Sequence, residues 1–180
     1  MYIVLWPGLA SHRWVRLNSN VRPQNRPPMS SEADKAQVEL RVFADFIALA
    51  RVPIQLASVE KRAPPEPDLL CRHETEGKVA FELVELCDPN LARALANPRP
   101  DAGGVEYIRT SDPSWSIVLK KLRKKYETDY PVELLCYTDG RIITPPDVIR
   151  PTLEPLLGSY RHTFSRAWLM SEGEVYSLWH

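Results

Sequence analysis

PEPDLLCRHETEGKVAFELVELC, residues 65–87, holds two apolar runs, 68–73 and 78–87, on either side of the polar segment 74–77. A short polar segment containing Gly between two such runs predicts a β-hairpin. The second run is apolar at both odd and even positions, as expected of a strand in the middle of a sheet covered on both faces. Glu82 interrupts it, flanked by Phe81 and Leu83. An ionised carboxylate there is costly without a partner. Asp68 opens the first run directly behind Pro67, so a hairpin can bring Asp68 and Glu82 side by side. Two adjacent carboxylates repel unless a cation sits between them. Hard oxygen ligands on a partly open site select Mg²⁺ or Mn²⁺. The alternatives for Glu82 are a buried pair with an Arg or Lys, or an edge position that reaches water.

Outward from this stretch the chain reads as alternating helices and strands. Ser30 or Ser31 can cap a helix over 31–51 whose first turn holds Glu32 and Asp34, and Val38, Val42, Phe43, Phe46, Ile47 and Leu49 recur at helical spacing. Pro53 stops it. Residues 54–60 alternate weakly and are read as a strand, and residues 63–67 (APPEP) break the pattern. Residues 88–113 are irregular and rich in Pro and Gly, with one short helix over 91–96. Asp112-Pro113 starts a helix with a buried stripe of Trp115, Val118, Leu119, Leu122 and Tyr126. A strand over 132–138 follows, then a helix over 146–160 that must accommodate Pro151 and Pro155. Strands over 164–171 and 174–179 close a hairpin at Glu172-Gly173. The order α-β-β-β-α-β-α-β-β predicts an α/β fold, a mixed central sheet with helices on its faces.

With 180 residues, 44% of them hydrophobic and 26% charged, the chain suits one globular domain, read as residues 30–180. No apolar run approaches the length of a membrane span. The start MYIVLWPGLA lacks the basic region of a signal peptide, so a cytoplasmic location is expected. The odd count of three cysteines, Cys71, Cys87 and Cys136, without CxxC spacing, predicts core thiols rather than ligands. Residues 1–29 end in the Pro-rich RPQNRPPM and are expected to form a disordered tail, with Met29 a candidate true start. The alternative is a basic arm that contacts a partner. Residues 1–28 carry Arg13, Arg16, Arg22 and Arg26 and no acid, so the zero net charge leaves the rest with four more acidic than basic groups. An acidic domain binds nucleic acid only through a local basic patch.

The segment PEPDLLCRHETEGKVAFELVEL resembles the signature of the PD-(D/E)XK, or restriction-endonuclease-like, nuclease superfamily. Pro67-Asp68 matches its PD and Glu82 its second acid, and the α-β-β-β-α-β order from Ser31 to Thr138 matches its common core. The helix over 146–160 and the final hairpin are additions to that core. The resemblance implies a Mg²⁺- or Mn²⁺-dependent nuclease that hydrolyses phosphodiester bonds in DNA or RNA, with a homodimer suited to cutting two strands. One position departs from the pattern. The family's lysine, two residues after the second acid, is Val84 here, which can neither polarise a water nor hold a phosphate. Some members supply that lysine from the following helix, which here reads WSIVLKKLRKKY. Lys121 and Lys125, four residues apart on a helix, share a face beside the apolar stripe, and Lys121 is the favoured replacement. The resemblance also implies that a first-helix Glu can complete the metal shell, which points to Glu39. Glu85 should face away from Glu82 in a regular strand.

The catalytic set is therefore Asp68, Glu82 and Lys121, the metal set Asp68, Glu82 and Glu39, and the phosphate-contacting set Lys120, Lys121, Lys124 and Lys125. A run of lysines is also what a solvated helix face looks like. Arg93, Arg99 and Arg109 could extend the patch, and Trp115, Tyr126 and Tyr130 could stack bases or pack in the core. His73 and His162 lack metal-ligand spacing, and no Gly-rich phosphate loop is present. The competing functions are a catalytically inactive relative of the same fold that binds nucleic acid or a protein, and a structural domain whose acids make salt bridges.

Overall fold

The computed structural model describes residues 12–16, 32–97 and 107–180. Within them four helices flank a six-stranded, mixed, open sheet. Helix α1, Glu32–Ala50, carries its acids in the first turn and presents Val42, Phe43 and Phe46 to the sheet. Arg51, at φ 53°, closes it ahead of Pro53. Leu49, expected in the buried stripe, is exposed.

Residues 54–60 do not form the expected strand. Ile54 makes one isolated bridge to His73, Leu56–Ser58 is a 3₁₀ turn, and only Glu60–Lys61 pairs as a short strand, β2. The cause is Ser58. Its hydroxyl donates to Gln55 O at 2.6 Å and accepts from Arg72 N at 2.8 Å, taking the place of a ladder carbonyl.

Strands β3, Leu69–His73, and β4, Gly77–Glu85, form the expected antiparallel hairpin. Its turn puts Gly77 at φ +81°. His73 Nδ1 accepts from Thr75 N and Glu76 N at 3.3 and 3.2 Å, so this imidazole caps the turn. Helix α2, Pro89–Ala96, is capped by Asp88, whose carboxylate accepts from Asn90 N and Leu91 N. Strand β5, Tyr107–Ser111, pairs antiparallel with β1, His12–Arg16, in a separate two-stranded sheet. Neither strand is anticipated in the sequence, because each needs the other. The remainder of the expected tail, 1–11 and 17–29, lies outside the described residues.

Helix α3, Ser114–Leu122, precedes the fully buried strand β6, Val132–Tyr137. Helix α4, Pro146–Ser159, stays continuous through Pro151 and Pro155. Each internal proline costs about 3 kcal/mol. Ile149, Leu153, Leu156 and Leu157 are fully buried, worth roughly 1.5–3 kcal/mol apiece, which offsets it. Strands β7, Phe164–Ser171, and β8, Glu174–Trp179, meet at Glu172 and Gly173, both at positive φ, the geometry of a tight hairpin turn.

The sheet order is β2-β3-β4-β6-β7-β8, with β4, β6 and β7 mutually parallel and antiparallel pairs at both ends. One face, with Leu69, Phe81, Leu83 and Leu135, packs on α1. The other, with Leu70, Ala80, Val84 and Leu134, packs on α3 and α4. No helix among the described residues is long and apolar enough to cross a membrane.

Candidate functional site

The β3–β4 ladder begins at Leu69, opposite Phe81, directly after Asp68. Ala80 N donates to Pro131 O on the β6 side. Alternation therefore turns the Leu83 N–H toward β3. That strand has ended there, and the Asp68 side chain takes the bond instead, Leu83 N to Asp68 Oδ2 at 2.9 Å. The carboxylate is thus held at the end of the ladder, 18% exposed.

Glu82 lies on the face covered by α3. Val118 and Leu122 pack with Ala80 and Val84, and Lys121, on the same helix, brings Nζ to 2.5 Å from Glu82 Oε1. Lys124 Nζ reaches the same oxygen at 3.1 Å. The Glu82 side chain is 1% exposed, yet its Oε2 has no hydrogen-bond partner among the described residues. The Tyr126 hydroxyl is buried against the Glu82 carboxylate. Burial, then the nearby Glu82 charge and a side-chain hydrogen bond to Glu82, pushes that phenol well above its ordinary value of 10.0. Its ring packs on Phe164, with Lys124 Nζ 4.6 Å from the ring centroid.

Glu39 approaches from α1, 6% exposed, with Lys35 Nζ at 3.7 Å. Between it and Asp68 stands Lys61 of β2. Its ammonium donates to Glu39 Oε2 and lies 3.4 Å from Asp68 Oδ1. Burial disfavours the Lys61 charge, but the Glu39 hydrogen bond and the two carboxylate charges outweigh it and raise the pKa above 10.5. Lys35, Glu39, Asp68, Val84, Glu85 and Lys121 are among the residues lining one open cavity of about 220 Å³. Glu85, at the end of β4, is held in two places by Arg141.

Lys121 therefore meets Glu82, Lys61 joins Asp68 to Glu39, and Glu39, Asp68 and Lys121 line one cavity. Lys125 does not join on a helix face shared with Lys121, because α3 ends at Leu122. A longer helix would set Lys120 against Lys124 and Lys121 against Lys125, like charges at i,i+4. Beyond the helix end, Lys124 reaches Glu82 instead. Lys120 and Lys125 are exposed. Trp115, expected in the buried stripe, is also exposed, as is Tyr130. Arg93 and Arg109 are exposed, and Arg99 lies outside the described residues. Burial pushes the Cys71 and Cys136 thiols up to about 12, so both stay protonated in the core, as expected of structural cysteines. His162 packs between Phe164 and Trp179. The sequence reading missed Lys61, whose only signal was its place just before the break that precedes Asp68.

No group of three His, Cys, Asp or Glu side chains converges as a cage among the described residues. The expected metal set Asp68, Glu82 and Glu39 is therefore not found as such a group. Compared with family models, curated proteins and solved structures, the chain matches none.

Proposed function

We propose that the domain is a restriction-endonuclease-like phosphodiesterase, acting on DNA or RNA with Mg²⁺ or Mn²⁺ held by Asp68 and Glu82. The observation that carries this reading is the Lys121 ammonium on Glu82 Oε1, 2.5 Å away, on the strand whose next residue, Leu83, donates its N–H to Asp68. The lysine that Val84 replaces on the strand returns from α3 to the same carboxylate. A divalent ion bound there would supply a polarised phosphoryl oxygen and a water of lowered pKa.

The chain's own groups complete the chemistry. Lys121 and Lys124 pair with Glu82, since an uncompensated buried charge costs several kcal/mol. Lys121 lines the cavity and places positive charge where negative charge develops on a phosphate. Leu83 N–H fixes the Asp68 carboxylate in orientation. Exposed Lys120 and Lys125, with Lys124, contact the nucleic-acid backbone without reading its sequence. Such contacts make binding weaken with added salt.

Cleavage of plasmid and of labelled single-stranded DNA and RNA, with and without Mg²⁺, tests this. Asp68→Ala is expected to lower the rate at least about a hundredfold, the scale of losing one charge-stabilising group. Full activity in the Asp68→Ala, Glu82→Ala double variant contradicts it. A second reading has its own observation: Glu39, Asp68 and Glu82 each already touch an ammonium. On that reading the domain binds nucleic acid or a protein without cutting, and the wild type shows no metal-dependent cleavage.

A further inference from the structure

Three donors converge on one nitrogen at the β3–β4 turn. Thr75 N, Glu76 N and the Thr75 hydroxyl lie 3.3, 3.2 and 3.1 Å from His73 Nδ1. A backbone N–H can only donate, so Nδ1 accepts there and carries no proton. The ring is therefore the neutral tautomer with its hydrogen on Nε2. A protonated imidazole has no lone pair left on either nitrogen and cannot make these bonds.

The charged ring has another partner within reach. His73 Nε2 is 3.9 Å from Glu76 Oε1, and the exposed Glu76 side chain can rotate to close that gap. Arg166, from β7, donates to the same oxygen at 2.7 Å. That hydrogen bond, opposed by burial and helped by the Arg166 and His73 charges, holds the Glu76 carboxyl below its usual value, so it stays ionised while an imidazole titrates. Behind Arg166 stands Glu133 of β6, 2.9 Å from it. The other charges beside the ring are Glu74 in the turn and Arg72, paired with Lys78 on the next rung. The two residues that pair with His73 itself, Ile54 and Gly77, are uncharged. Residues 74–77 are exposed, so amides released from the ring pass to water.

We propose that His73 is a pH-operated latch on the β3–β4 turn: neutral, it caps the Thr75 and Glu76 amides, and protonated, it releases both and donates to Glu76 instead. The ladder itself survives the exchange, because its pairs run from Leu69 with Phe81 to His73 with Gly77 and include neither amide. The cap is complete at the alkaline end of the range where imidazoles titrate, about pH 5 to 8, and is lost as pH falls through it. The carboxylate that receives the charged ring also anchors Arg166, and through it Glu133, so the latch ties the turn to β7 and β6. It operates without any ion or nucleic acid at the candidate site.

Nitrogen-15 NMR of the folded wild type, with amide exchange measured at about pH 7.5 and about pH 5, on either side of the imidazole range, tests the inference. His73 Nδ1 should carry no proton at the higher pH and one at the lower. Protection of the Thr75 and Glu76 amides, corrected for intrinsic exchange, should fall several-fold between the two, while the ladder amides of β4 hold theirs. His73→Asn, whose side-chain oxygen can accept from the same amides, should keep the protection at both pH values. Glu76→Gln, which removes the alternative partner, should need a lower pH for the same loss. A proton on Nδ1 at the higher pH, protection unchanged between the two in the wild type, or an equal fall in His73→Asn overturns the latch. A Glu76→Gln profile identical to the wild type overturns the exchange of partner.

Discussion

Glu82 is a buried acid paired with two lysines. It sits in a central strand, 1% exposed, and is tolerable there because Lys121 and Lys124 share one of its oxygens. Losing one lysine leaves the other in place. Losing both leaves a buried, uncompensated charge, which costs about 3–5 kcal/mol. The Lys121→Met, Lys124→Met variant should lose stability on that scale in urea denaturation, and adding Glu82→Gln should restore most of it. The exposed pair Lys120→Met, Lys125→Met should stay within about 0.5 kcal/mol of wild type. The contact of Lys121 with Glu82 was legible, because a charged residue inside an apolar strand demands a partner and Lys121 borders an apolar stripe. Lys61 was not. Its contact depends on the register of a two-residue strand, and pairing that short leaves no periodic signal.

Elements were legible where one periodicity ran long enough to decide between helix and strand. Helices α1 and α4, the β3–β4 hairpin and the β7–β8 hairpin fall within a residue or two of their expected bounds. The failures lie where side chains override the backbone pattern. Ser58 replaces a strand with a 3₁₀ turn. The lysine run ends α3 one turn early, so Lys124 rather than Lys125 reaches the acid. Asp88 shows how a single carboxylate can organise a poorly patterned stretch. It is fully buried and accepts from Asn90 N at 2.8 Å, Leu91 N at 3.4 Å and Ser111 N at 2.6 Å, joining the start of α2 to the end of β5. Asp88→Ala orphans these groups and should cost roughly 1–3 kcal/mol. Faster amide exchange at Leu91 and Ser111, with the β6 amides unchanged, would place the loss locally. Asp88→Asn, which keeps an acceptor, should lose less than half as much.

At the scale of the whole molecule, the α/β class and the mixed sheet followed from element order, since parallel neighbours need a crossover and antiparallel ones only a turn. The small β1–β5 sheet did not follow, because its two strands lie about ninety residues apart in sequence and neither carries a strong pattern alone. The same architecture explains why acids from different elements meet. Strand β3 stops at Leu69 while β4 runs on to Glu85. The gap beyond β3 opens the cavity that Glu39, Asp68 and Lys121 line. We propose that Asp68 and Glu82 jointly hold one divalent ion. Mn²⁺ titration followed by electron paramagnetic resonance tests it most directly, using folded wild type, Asp68→Asn and Glu82→Gln. One ion per chain in the wild type, lost in each single variant, is the predicted result. A wild type that binds no Mn²⁺, or variants that bind it as well as the wild type, would contradict the account.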